Sequence, residues 1–251
     1  MYSPNEWPAI SATIFYYDSE YSVQTAERIL QLLEKYGFFP PERLYLGKLT
    51  KGRYKKYTDD MRDKFVETCS TSRELTVGAV SGDSRKTREI WLFDWGFTYD
   101  KCRPEHNESK RKFWNIMSME LSHALIENEA VYANFLGFFK EAVEELKPFI
   151  AHIEDIHNHL RLKKNAGEGG FKPSYIQQVY WGNYLGAEYC KLYGEDKLMG
   201  IPAHSIERIG DGVFFTLSEE ALDFDSAECN SRRSLIWDYL GLNEKRQLPD
   251  C

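Results

Sequence analysis

The chain has 251 residues, 42% hydrophobic and 15% aromatic, which supplies material for a sizeable core and excludes a disordered chain. Its net charge of −7 argues against nucleic acid as a partner, and no run nears the ~20 apolar residues that a membrane span needs. The N-terminus, MYSPNEWPAI, has neither the basic start nor the apolar centre of a secretory signal, so the expected compartment is the cytoplasm.

The first element is a strand over Ile10–Tyr17, followed by a helix in which Val23, Ala26, Ile29, Leu30, Leu33 and Tyr36 recur at helical spacing. Ser22 is its expected cap and Gly37 its expected stop. The connection through Leu44–Leu46 reads as irregular or partly extended. Lys51–Tyr57 reads as a basic loop, followed by a helix over Asp59–Thr68. Strands are expected over Leu75–Val80 and Glu89–Tyr99, joined by a turn at Gly82–Ser84 as an antiparallel hairpin. In the second of them, Trp91, Phe93, Trp95, Phe97 and Tyr99 alternate onto one face. Residues 101–112 form a polar loop, then Phe113–Leu121 reads as a strand and Glu127–Lys147 as an amphipathic helix ended by Pro148. Phe149–His157 resumes an extended pattern.

Ser174–Gly194 is aromatic-rich and reads as one helix, with Pro173 at its start and Gly194 at its end. Gly182 and Gly186 inside it each cost about 1 kcal/mol in a helix, which implies close packing of another backbone. It reads as a core helix, with a cradle for a small ligand or nucleotide as the other meaning of its rings. The preceding AGEGG at 166–170 lacks the lysine and hydroxyl of a phosphate loop, so it reads as a connection. A second hairpin follows, from Ile201–Ile209 through Gly210-Asp211-Gly212 to Val213–Leu217, and a last helix over Ser231–Leu240 ends at Gly241. The expected fold is therefore α+β, or α/β, in a single domain over 1–251. Its sheet is mixed and largely antiparallel, with helices packed on it, and two related halves, 1–110 and 111–251, are the alternative division.

Three features bear on chemistry. The segment HIEDIHNH holds half of the six histidines. If it is extended, His157 and His159 share a face near Glu154 or Asp155, and with His152 they form the alternative metal set of a metal-dependent hydrolase. A polar strand end explains them equally. Five cysteines, Cys69, Cys102, Cys190, Cys229 and Cys251, are scattered without a CxxC pair and read as reduced thiols; no nucleophile elbow, Walker loop or HExxH is present. The third feature is charge. Residues 1–125 hold 19 basic and 18 acidic residues, while residues 126–251 hold 13 and 21, a net of −8. Glu219, Glu220, Asp223 and Asp225 are its densest run, placed either to solvate a loop or to steer a basic partner.

The order YWGNYLGAEYCKLYG, IPAHSIERI, GDGVFFTLSEEALDF and SRRSLIWDYLGL, over residues 174–242, resembles immunity proteins of bacterial polymorphic toxin systems, in particular the immunity protein 52-like and type VI immunity group. The resemblance implies a non-enzymatic cytoplasmic protein, without a cofactor, that binds one cognate toxin, protects the producing cell and serves in bacterial competition. The family offers no catalytic motif to transfer. The acidic run Glu219, Glu220, Asp223 and Asp225 is then the expected toxin-binding surface, facing a basic toxin.

Overall fold

A computed structural model describes residues 8–16, 23–47, 55–71, 74–81, 91–98, 115–158 and 176–244. It has the expected α+β class, with antiparallel strands and helices packed beside them. The chain divides into two compact units, Tyr16–Leu146 in one and Met1–Phe15 with Lys147–Cys251 in the other. Among the described residues no helix is long and apolar enough to cross a membrane. Ser22, the turn at 82–84, the first part of the basic loop at 51–54, the polar loop at 101–112, the glycine-rich 166–170 and His159 lie outside the described residues.

In the unit Tyr16–Leu146, the strands β2 (Arg43–Gly47), β3 (Lys55–Lys56), β4 (Glu74–Ser81), β5 (Trp91–Thr98) and β6 (Asn115–Ser122) pair antiparallel in the order β3-β2-β4-β5-β6. The stretch read as irregular near Leu44 is thus a strand, and the end of the basic loop pairs with it. The β4–β5 hairpin is as expected, but the alternation in β5 is interrupted. Trp95 opposes Met117 while Phe97 opposes Ile116, so Gly96 is an extra residue, a bulge. Helix α1 (Val23–Lys35) buries Ala26, Ile29, Leu30 and Leu33, the stripe that its spacing announces. After α2 (Asp60–Thr71) and the short α3 (His123–Ile126), α4 (Glu129–Leu146) buries Phe135, Phe138, Phe139, Ala142 and Val143. Arg28 of α1 bridges to Glu145 of α4 at 2.7 Å.

The other unit is built on β1 (Ala9–Tyr16), β7 (Ile150–Asp155), β8 (Gly182–Leu185), β9 (Ser205–Ile209) and β10 (Gly212–Thr216), antiparallel in the order β1-β7-β8-β10-β9. β7, β8 and β10 are buried along their whole length. Around them pack α5 (Ala187–Tyr193), α6 (Glu195–Met199) and α7 (Ala227–Leu240). Cys229, Arg233, Ile236 and Leu240 form the buried face of α7, and Gly241, left-handed at φ 67°, ends it.

The largest departure from expectation is at 174–194. Instead of one helix, residues 176–181 are irregular, β8 follows, and only Ala187–Tyr193 is helical before Gly194 ends it. The two glycines signal a close backbone approach between strands. A Cβ at Gly182 would lie 3.2 Å from Ile153 Cβ, and one at Gly186 would lie 2.1 Å from the Pro148 carbonyl oxygen and 3.1 Å from Phe149 Cα. Gly186 has an ordinary φ of −74°, so its requirement is purely spatial. Gly186→Ala therefore forces the β7 and β8 backbones apart and should cost about 3 kcal/mol, at the upper end of ordinary overpacking. Gly210→Ala, at φ 54° with open space around it, should cost only about 1 kcal/mol. Urea midpoints of the two variants check the order; an equal or reversed ranking would remove the close approach as the reason for Gly186.

Candidate functional site

The acidic run leaves the sheet at the end of β10 and is fastened before it reaches solvent. Leu217 donates its N–H to the Trp181 carbonyl at 2.9 Å. The Ser218 hydroxyl accepts from Trp181 Nε1 at 2.9 Å and from the Cys229 thiol at 3.2 Å, and donates to the Glu220 carbonyl at 2.9 Å. A 3-10 turn over Ala221–Asp223 buries Ala221 beneath it. Ser226 donates its N–H to the Asp223 carbonyl at 2.9 Å and accepts the Cys229 N–H on its side chain, so the run ends in the N-cap of α7. That helix begins four residues earlier than its apolar spacing indicates.

From α7 three side chains return to the turn. Asn230 donates to the Asp225 carbonyl at 3.1 Å, Arg232 to the Leu217 carbonyl, and Arg233 to the Phe224 carbonyl at 3.3 Å. Glu219, Glu220, Asp223 and Asp225 are all exposed. The carboxylates of Glu219, Glu220 and Asp223 form no ion pair among the described residues, whereas Asp225 takes a long contact of 3.4 Å from the Asn230 amide. Held through its backbone by Asn230 and two arginines, the turn presents the carboxylates of Glu219, Glu220 and Asp223 on a fixed frame, outside any ion pair among the described residues.

Behind the turn lies a buried polar cluster. Arg233 sits on the apolar face of α7 and donates to the Val179 carbonyl at 2.8 Å, to Asn230 Oδ1 at 2.7 Å and to Glu154 Oε2 at 3.4 Å. Glu154, on β7, accepts the N–H of Trp181 and that of Asp155, each at 3.0 Å. Burial pushes the Glu154 carboxyl up from 4.5 to about 7, against the pull of the Asn158 hydrogen bond, the Arg233 charge and the two N–H groups. The Tyr180 phenol is raised as well, by burial and then by the Glu154 charge. The sequence carried a signal for this cluster that its apolar spacing obscures: a cation at 233, in register with Cys229, Ile236 and Leu240, requires a buried partner.

The histidine segment does not form the expected strand face. β7 stops at Asp155, whose Oδ1 accepts the N–H groups of His157 at 2.9 Å and Asn158 at 3.0 Å, so residues 156–158 turn helical. His152 is buried on the strand, its ring stacked on Tyr180 at 3.9 Å and 5.8 Å from Phe15, while His157 is exposed beyond the strand end. Among the described residues no group of three or more His, Cys, Asp or Glu is placed to hold a metal ion. Cys190 and Cys229 are free thiols.

No family model matches the chain, and no curated protein matches it in sequence. In fold it is similar to the solved structure of the Pseudomonas aeruginosa T6SS protein PA0821, with a TM-score of 0.62 and 17% sequence identity, over 93% of this chain and 72% of that one.

The raised carboxyl makes stability depend on pH. The folded chain binds the Glu154 proton more tightly than the unfolded chain, so its contribution is full below about pH 4.5 and is lost as pH rises through about 7. The shift corresponds to at most ~3 kcal/mol. Between pH 5 and pH 8 the wild type should lose up to that much more unfolding free energy than Glu154→Gln, read from urea titrations at each pH. Parallel pH profiles would show that Glu154 titrates as an ordinary carboxyl.

Proposed function

We propose that this chain is an immunity protein: it binds a cognate toxin inside the producing cell and neutralises it by occlusion, without catalysis and without a cofactor. The observation that carries the proposal is the fixed acidic turn, Glu219 to Asp225, whose carboxylates face outward while its backbone is moored to the core. A preorganised surface of one charge raises the rate at which an oppositely charged partner docks, and rigidity lowers the entropy lost on docking. Support also comes from the sequence resemblance over 174–242 to type VI immunity proteins. The likeness in fold to a protein described as a T6SS protein lies in the same direction. The partner on this reading is a protein toxin with a basic surface, as is common where the target is nucleic acid.

Co-expression with the product of the adjacent gene tests the reading. The expected outcome is restored host growth together with a complex that survives purification. Rescue without a complex would instead favour an enzyme that reverses the damage, and absence of rescue would overturn immunity. Within the complex, reversing Glu219, Glu220, Asp223 and Asp225 to lysine should slow association about tenfold or more at low salt and invert its salt dependence, because attraction becomes repulsion. Stopped-flow association rates across a salt series check this; unchanged rates would remove the turn from the interface.

A further inference from the structure

The three nitrogens of the Arg233 guanidinium are not equally committed. Nε donates to the Val179 carbonyl at 2.8 Å and Nη1 to Asn230 Oδ1 at 2.7 Å, both close contacts. Nη2 is divided between two distant acceptors, the Phe224 carbonyl of the acidic turn at 3.3 Å and Glu154 Oε2 on β7 at 3.4 Å. A charged donor on a carboxylate ordinarily closes to about 2.8 Å. The N–H bonds of a planar guanidinium diverge in a fixed fork, so with Nε and Nη1 held, a swing of Nη2 toward one acceptor is a retreat from the other. The guanidinium also reaches the turn a second way. Asn230, oriented by Nη1, gives its own amide to the Asp225 carbonyl at 3.1 Å.

The charge on Glu154 decides how Nη2 is shared. Its Oε2 accepts the Trp181 N–H and its Oε1 the Asp155 N–H, each at 3.0 Å, so the carboxyl is fixed from both sides and the guanidinium is the partner that moves. As a carboxylate, Glu154 draws Nη2 inward. Carrying a proton it is a neutral and weaker acceptor, and the Phe224 carbonyl takes the larger share. Burial sets the exchange between these forms at about pH 7. Other titratable groups surround Glu154. Strand β7 carries Asp155 and the buried His152, the stretch before β8 brings the Tyr180 phenol, residues 156–158 bring His157, and the 3-10 turn, which packs on β7, carries Asp223; β1 opposes Glu154 with Ser11.

We propose that Glu154, Arg233 and the Phe224 carbonyl form a proton-operated latch on the acidic turn: a neutral Glu154 leaves Arg233 closed on the turn, and the carboxylate draws it back toward β7. The latch stands without the immunity reading. Where the turn is a docking surface, as that reading has it, the latch makes the rigidity of the surface depend on pH.

Carbonyl and carboxyl 13C NMR of the full chain tests it in a titration from about pH 5 to about pH 9. A carbonyl 13C resonance moves upfield as the hydrogen bond it accepts lengthens. The Phe224 carbonyl should therefore move upfield as pH rises, with the same midpoint as the Glu154 carboxyl, about 7, while the Val179 carbonyl moves much less. In Glu154→Gln, neutral at every pH, the Phe224 resonance should be flat. His157→Gln should leave the Phe224 titration unchanged, and the His152 ring, followed in the same samples, should not share its midpoint. A Phe224 resonance that stays flat while Glu154 titrates, moves downfield, follows a histidine, or titrates equally in Glu154→Gln would overturn the latch, as would a Glu154 midpoint below the titrated range. If Glu154→Gln does not fold, the two midpoints in the wild type decide alone, and separate midpoints overturn the proposal. Immunity is untouched by each of these outcomes, since co-expression tests it separately.

Discussion

The pair of Arg233 and Glu154 joins helix α7 to strand β7 through the interior of its unit. One guanidinium reaches the Val179 carbonyl, the Phe224 carbonyl, Asn230 and Glu154, and the carboxylate in turn holds the N–H of Trp181. Strand β7, the irregular stretch before β8, the acidic turn and α7 are thereby tied at one point. The pair is no simple source of stability. Its contact is long, at 3.4 Å, and burial outweighs the arginine's pull on the Glu154 proton. What it supplies is position: alternative packings of these four segments would leave a charge buried without its partner.

The same cluster explains how irregular backbone is tolerated in the interior. Residues 176–181 have no ladder to satisfy their peptide groups, yet Ile176, Val179, Tyr180 and Trp181 are buried. From Val179 to Trp181 the groups are met one at a time, mostly by side chains. The Val179 carbonyl accepts from Arg233, Tyr180 exchanges two bonds with Asn183, and Trp181 is met by Glu154 on its N–H and by the Leu217 N–H on its carbonyl. Buried Arg, Glu and Asn in this unit are therefore the counterpart of a missing helix. A helix over 174–194 would have satisfied those groups internally and left the three polar side chains without partners.

Where periodicity was long and unmixed, the sequence was legible. The apolar stripes of α1 and α4, the strand at β1 and the glycine turn between β9 and β10 all correspond to what forms. Legibility failed where one spacing served two structures. Tyr180 and Tyr184 are four apart, as on a helix face, but they are also an even number apart, as on a strand, and the run is too short to separate the periods. Gly182 and Gly186 were the deciding residues, since glycine at a close strand crossing is common and glycine in a helix is costly. At the site, the exposure of Glu219 to Asp225 could be read from charge alone. Their mooring could not, because Trp181 lies 37 positions from Ser218 and Arg233 lies 54 from Val179. Asp155 was legible in principle: a short acid ahead of a turn competes with the strand for backbone N–H groups, and here it ends β7 before His157.

Cations stand beside the acidic turn, and the way their donors are used decides what the turn can do. Arg232 gives its hydrogen bond to the Leu217 carbonyl and its ion pair to Glu228; Arg233 gives its donors to carbonyls, Asn230 and Glu154. Neither neutralises Glu219, Glu220 or Asp223. A turn built only to be stable would direct such neighbours at its own carboxylates, because closely spaced like charges repel. Fastening the backbone instead retains that repulsion in the free protein, and on the proposed immunity reading the basic surface of a toxin is what relieves it. On that reading the free energy of self-repulsion becomes part of the attraction for the toxin, available at long range because the carboxylates are already in place.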